Sequence, residues 1–283
     1  MLTQQAPDSP LPHDWRPMAP SADTTSAGSS DPLRGPPMIT TPTSPIDWKR
    51  GVADRYRGGE DRAVIFRDLI RQSLPPDGSG RALDIGCGQG LDRSVDLQRS
   101  IADRCTLIGV EPDPAVSPDP CLAEVHRCRF ERTDLPPDAF DAAYSVMVLE
   151  HIDSADAFWA QVRHCLKPGG VFWGLTVDAR SVFALASQTM EKLRVKDAYL
   201  SRVGGRRGSD RYENYPTYYR ANSPRAIARH TPGFASRQFV SLHRRRQMHY
   251  YVPPRFRFAM TALDAAILTL GLPGSVLLVR LQK

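Results

Sequence analysis

Residues 82–90 read Ala-Leu-Asp-Ile-Gly-Cys-Gly-Gln-Gly. An apolar run ends in a loop with glycine at alternate positions, Gly86, Gly88 and Gly90. An acid, Asp84, stands two residues before the first of them. Glycine lacks a Cβ, so such a loop turns tightly and lets a ligand approach the main chain. The stretch predicts a buried strand that ends in a ligand-facing turn. A carboxylate at that turn suits a ligand bearing positive charge or hydroxyls better than one bearing phosphates. The lysine of a phosphate-binding loop is missing. Leu91 stands where the dinucleotide fingerprint needs its third glycine.

The chain continues as strands alternating with helices, which predicts a parallel sheet. Residues 60–74 carry Val64, Ile65, Phe66, Leu69, Ile70 and Leu74 at helical spacing, and Pro75-Pro76-Asp77-Gly78 ends that helix. Strand one begins at Arg81. A polar helix over about 92–103 leads to strand two, Cys-Thr-Leu-Ile-Gly-Val at 105–110, and Glu111 follows it, 27 residues after Asp84. An acid at the carboxyl end of the next strand is where a doubly wound sheet places a ribose-hydroxyl acceptor. Strand three covers about 124–130 and strand four 141–146. A helix at 155–165 precedes Lys167-Pro-Gly-Gly170 and strand five, 171–177. A helix over 181–194 opens a segment, 178–235, that breaks the rhythm. Strand six is expected at 237–243. A last helix shows Phe256, Met260, Leu263, Ile267 and Leu270 on one face, and strand seven covers 274–281.

In order and spacing, the glycine loop, Glu111, Phe140-Asp-Ala-Ala-Tyr-Ser145, Val148-Leu-Glu-His151 and Leu166-Lys-Pro-Gly-Gly170 resemble a class I S-adenosylmethionine-dependent methyltransferase. The resemblance is strong over about 55–178. It implies an α/β, Rossmann-like, seven-stranded doubly wound sheet with a cap insertion between strands five and six. It implies S-adenosylmethionine as cofactor, with Asp84, Gly86, Cys87, Gly88 and Gly90 by the methionine part and Glu111 on the ribose hydroxyls. The main chain near Ser145 lies along the methionine part as well. Many relatives carry an aspartate for the adenine after strand three. Here Arg129-Phe130-Glu131 stands there, so either Glu131 substitutes or Phe130 and the backbone hold the ring.

The surplus length lies at the start. Residues 1–45 hold ten of the 25 prolines and few large apolar side chains. Such a stretch buries too little surface to offset its ordering entropy, so residues 1–47 read as a disordered Pro/Ser-rich tail and 48–283 as the methyltransferase domain. It has no apolar core of the signal-peptide kind. The net charge of +6 hides an asymmetry, because residues 179–283 hold 19 basic and 5 acidic side chains. A basic half of this kind is either a solvated face or a surface that meets an anionic substrate, membrane or nucleic acid. Five cysteines without metal-ligand spacing fit a reducing cytoplasm and predict no metal site. Asp264, Gly271, Pro273 and Gly274 interrupt the apolar run 258–279, which reads as a helix and a buried strand rather than a transmembrane segment. Peripheral membrane contact stays open.

Methyl transfer asks mainly for alignment and dryness, and for a base when the acceptor must lose a proton. His151 is the histidine best placed as a base, although it also reads as a residue that opens a helix. His243 and His249 lie in a basic, aromatic segment that faces substrate on one reading. Asp178, Tyr218, Tyr219 and Arg220 are substrate candidates in the cap, residues 178–235. Asp178 reads equally as a helix cap, and the tyrosines as a turn packed on the sheet. The expected reaction is methylation of a small-molecule or glycan acceptor at oxygen. The alternatives are an RNA methyltransferase, a lipid or quinone methyltransferase using the basic C-terminal face, and a non-catalytic cofactor-binding regulator. The Asn-Pro-Pro-Tyr signature of base amino methylation is missing after strand four, so nucleic acid is not favoured.

Overall fold

A computed structural model describes residues 47–195, 216–247, 249 and 252–283. The expected tail, the Arg/Gly-rich stretch 202–211 and Tyr250–Tyr251 lie outside those residues. Two helices, α1 (Asp47–Arg57) and α2 (Arg62–Gln72), precede the sheet. Then come β1 (Gly80–Ile85), α3 (Val95–Ala102), β2 (Cys105–Val110), β3 (Glu124–His126), β4 (Phe140–Val146), α4 (Ala155–Cys165) and β5 (Leu166–Val177). After β5 follow α5 (Val182–Lys192), α6 (Pro224–His230), β6 (Ser236–Leu242), α7 (Arg257–Leu270) and β7 (Val276–Gln282).

The seven strands stand in the order β3-β2-β1-β4-β5-β7-β6. Neighbours from β3 to β5 pair in parallel, and β7 runs antiparallel between β5 and β6. The chain leaves β1 toward β2 and β3, then returns to the other side of β1 for β4. That reversal opens a crevice at the carboxyl ends of β1 and β4, where open α/β sheets bind ligands. The register brings β6 to the same edge, because Val177 and Leu242 both pair with Val276.

Alternation along the strands explains why helices cover both faces. Leu83, Ile108, Ala143, Phe172 and Leu281 point to the side of α4 and α6. Ala82, Leu107, Tyr144, Trp173 and Leu278 point to the side of α1 and α2. On the first face Phe158, Trp159 and Phe172 meet edge to face, with ring centroids 4.9–6.2 Å apart. The Trp173 indole on the second face donates to Ser73 Oγ at 2.9 Å, which ties α2 to the sheet.

Three boundaries differ from expectation. Strand three ends at His126, and Phe130–Arg132 forms a 3-10 turn instead. This edge strand has a neighbour only in β2 and pairs at three positions. Strand five starts at Leu166, because Leu166 pairs with Phe140 before a bulge that takes up Pro168, Gly169 and Gly170. The helix expected at 92–103 shortens to α3. Asp92 and Arg93 adopt positive φ of 48° and 72° and make a turn, and Ser94 then caps the helix by accepting from Leu97 N.

Candidate active site

The loop after β1 is held by main chain. Gly86 N and Cys87 N both donate to Val110 O at 2.8 and 3.1 Å, which pins the turn to the end of β2. Gly86, Gly88 and Gly90 take φ of +74°, +50° and +111°, a region that side chains with a Cβ rarely enter. A Cβ on Gly90 would sit 2.7 Å from the backbone at the start of α3. A Cβ on Gly86 would sit 2.5 Å from Val148 Cγ2. The glycine at 86 therefore answers to the segment after β4 as well as to a ligand.

Asp84 is buried at the end of β1 and accepts from Gln98 Nε2 of α3 at 2.8 Å. Burial pushes its carboxyl up to about 7, and the nearby Glu111 adds to the rise. The Gln98 amide and the Tyr144 phenol oppose it. Such a carboxyl calls for a cation. Glu111 is buried at the end of β2 and accepts from Gly88 N at 3.0 Å and from Asp113 N at 2.9 Å. One anchor thus aligns the glycine loop with the acid.

A cleft of about 1290 Å³ runs along this edge. Its lining includes Asp84, Gly86, Gly88, Gly90, Glu111, Phe130 and Glu131, so the cofactor candidates from three strand ends converge. These residues fit an adenosyl cation: carboxylates at both ends, a loop no side chain fills, and an aromatic edge. Two candidates sit elsewhere. Cys87 is buried with its thiol packed toward Gly109, and burial raises its pKa. Ser145 is fully buried in β4, outside the lining, with its hydroxyl unpartnered. Arg129 pairs with Asp153 at 3.1 Å across the mouth.

The cap candidates divide as well. Tyr218 and Tyr219 line the cleft, and both their N–H groups donate to Glu150 O, at 2.7 and 3.3 Å. Ala221 and Asn222 are fully buried, and the Asn222 amide bonds the Thr176 hydroxyl at 2.6 Å. The same motif is thus a turn packed on the sheet and a wall of the cleft. Arg220 lies outside the lining, donating to Asp153 O and facing the Tyr218 ring at 5.5 Å. Asp178 also lies outside it. Its carboxylate pairs with Arg180 at 2.7 Å and accepts from Ser241 Oγ at 2.8 Å, contacts of the structural kind that its second reading expects. His151 lines the cleft with Nδ1 donating to Pro216 O at 3.0 Å.

The rest of the cleft lining, the second chamber, comes from other elements. Val146, Phe183, Met190, Met260, Leu263 and Ile267 give it apolar walls. Tyr56 and Arg62 enter from α1 and α2, and Arg62 is held by Asp92 through bonds of 2.6 and 2.8 Å. Arg244 lines it over the Tyr56 ring at 5.2 Å, with no carboxylate partner among the described residues. His243, just past β6, and Asp264, on the inner face of α7, are both buried and both line the chamber. Asp264 Oδ1 accepts from His243 Nε2 at 2.9 Å and Oδ2 from Arg246 N at 2.6 Å. The carboxylate sets the proton on Nε2, and Nδ1 has no partner among the described residues. Asp264 escaped the sequence reading, where it counted only as an interruption of an apolar run. A single acid on the buried side of an apolar helix was the available signal.

A family model described as a methyltransferase domain matches residues 57–248. A tRNA U34 carboxymethyltransferase of Shewanella sp. (strain W3-18-1) is 27% identical over 161 residues, which are 50% of this chain and 46% of that protein. A sterol 24-C-methyltransferase of Clavispora lusitaniae is 25% identical over 134 residues, 41% of this chain and 34% of that protein. The chain spans less than half the length of these curated relatives. A SAM-dependent methyltransferase from Archaeoglobus fulgidus superposes with a TM-score of 0.49 at 12% identity, covering 83% of this chain and 99% of that one.

Proposed function

The chain belongs to the methyltransferase-domain family, the S-adenosylmethionine-dependent class its motifs resemble, and from that premise we propose that it methylates a hydroxyl of a small acceptor with an apolar body. The observation that carries this reading is one cleft whose lining holds both the cofactor candidates and a group of apolar side chains beside His243 and Arg244. Its volume exceeds the roughly 300–1,000 Å³ of a typical single-ligand pocket, so cofactor and acceptor fit together.

When bound, S-adenosylmethionine supplies a methyl group already activated as an electrophile. Asp84 would hold the cofactor's positive end, Glu111 would take the ribose hydroxyls, and Phe130 with Glu131 would border the adenine. In the second chamber the apolar walls exclude water and accept an apolar body. A glycan would leave many hydroxyls unpaired there, at a cost for each, so a small molecule is the better occupant. His243 is the base proposed to take the acceptor's proton, with Asp264 holding the ring and stabilising the resulting imidazolium. Arg244 is the cation for an acidic group on the acceptor.

The test is methyl transfer from labelled S-adenosylmethionine to three pools: hydroxylated aromatic and aliphatic acids, oligosaccharides, and RNA. Label in the first pool is expected, with the rate falling about a hundredfold or more in His243→Ala. Label confined to RNA or oligosaccharide would overturn the acceptor assignment.

A further inference from the structure

Helices α5 and α7 wall the acceptor chamber, and both carry exposed apolar side chains on their outer faces. On α7 the exposed side chains include Phe258, Ala259, Ala262, Ala265 and Leu270. Phe258 is 75% exposed and Leu270 70%. The one acid of this helix, Asp264, points inward to His243. On α5 the exposed residues Val182, Leu185, Ala186 and Thr189 follow helical spacing on one stripe. A helix on the surface of a globular protein normally presents charged or polar residues there. The large exposed hydrophobics among the described residues all fall between Val182 and Leu272. They are gathered on the part of the chain that borders the cleft, not scattered over the molecule.

Along the stretch of chain that carries α7 the charge has one sign. From Pro216 to Lys283 the sequence holds eleven basic side chains and one acid, the buried Asp264. Arg245, Arg246, Arg255 and Arg257 are exposed immediately before and at the start of α7. The Arg255 guanidinium lies 4.9 Å from the centroid of the Phe256 ring, which is itself 48% exposed. Aromatic and aliphatic side chains beside arginines match a bilayer interface: apolar groups enter the acyl boundary and guanidinium groups stay at headgroup level.

We propose that the outer faces of α5 and α7 dock on an anionic lipid bilayer. No described helix is long and apolar enough to cross one, so this is contact at the interface. Docking would set the apolar chamber against the membrane, so that an apolar acceptor reaches it without passing through water. That last consequence rests on the acceptor reading above, whereas the docking itself does not.

The experiment is sedimentation of the full chain with vesicles of phosphatidylcholine alone and of phosphatidylcholine with phosphatidylglycerol, at low and high salt, without cofactor or acceptor. Binding to the mixed vesicles that weakens with salt is expected. Phe258→Glu should lower partition about tenfold while its melting temperature matches wild type, because the side chain has little to lose in the folded protein. Arg50→Glu on α1, an exposed site on the other part of the chain, should leave docking unchanged. No sedimentation with anionic vesicles overturns the proposal, and so does equal binding to neutral ones. Binding that Phe258→Glu leaves intact would mean adsorption by charge alone and would also overturn it. A dimer that Phe258→Glu dissolves, with no vesicle binding, would assign the face to a second copy instead. The vesicle result is independent of methyl transfer, so either reading can fail alone.

Discussion

Asp84 is the residue whose chemistry most sharply tests the site. Its carboxyl is raised to about 7 from 3.8 by burial. Between those values the folded protein holds a proton that the unfolded chain has released, so stability falls as pH rises through that window. Urea midpoints should therefore decline from pH 5 to pH 8 more in wild type than in Asp84→Asn. A cation in the site lowers the same carboxyl, so S-adenosylmethionine binding near pH 6.5 should release a proton. Calorimetry in buffers of different ionisation enthalpy would read that release, and Asp84→Asn should abolish it. Glu111→Ala removes an acceptor for ribose and for two backbone N–H groups, and should weaken cofactor binding by about 1–3 kcal/mol. Unchanged affinity would mean the ribose lies elsewhere. Gly86 carries two constraints at once, a left-handed backbone and contact with Val148. Gly86→Ala should lower stability as well as affinity, and adding Val148→Ala should restore only part of the loss, since the backbone strain of about 1–2 kcal/mol remains. Full recovery on calorimetry and denaturation would show that sterics alone matter.

At the scale of elements, most of the sheet follows from local pattern. The strands and the helices between them could be placed from apolar runs, glycine loops and helical spacing. Their ends moved where neighbours decide. Strand five gains Leu166 because Phe140 pairs with it across a bulge, and strand three stops at His126 because its one partner offers three positions. The packing of α7 against the end of β6 is likewise tertiary. It buries Asp264 beside His243 and under Arg246 N. Asp264→Ala should leave both donors unpaired and destabilise the domain by about 1–3 kcal/mol. For a chain of this size that is a melting shift of about 2–4 °C per kcal/mol, readable by calorimetry. A fall in melting temperature no larger than that of an exposed alanine substitution would show the pair to be structurally idle.

At the scale of the molecule, the basic character of the later chain shows on the described surface as exposed Arg245, Arg246, Arg255 and Arg257 near α7. The strand ends from β1 to β4 bring the proposed cofactor contacts to the cleft, and those of β5 and β6 border the proposed acceptor chamber. The same edge of one sheet serves both because β6 is parallel to β5 and ends beside it across β7.

The sequence by itself determined the fold class, the glycine loop, and the acids at the ends of β1 and β2. Each depends on local causes: a missing Cβ, an alternating or apolar run, or one position after a strand. Only the tertiary structure decided which candidates reach the cleft. Cys87, Ser145 and Asp178 lie at carboxyl ends of strands, as Asp84 and Glu111 do, yet the first two point into packing and the third into an ion pair. Only it, too, joined His243 to Asp264, 21 residues apart, because a helix had to fold back over the edge of the sheet before the two side chains could meet.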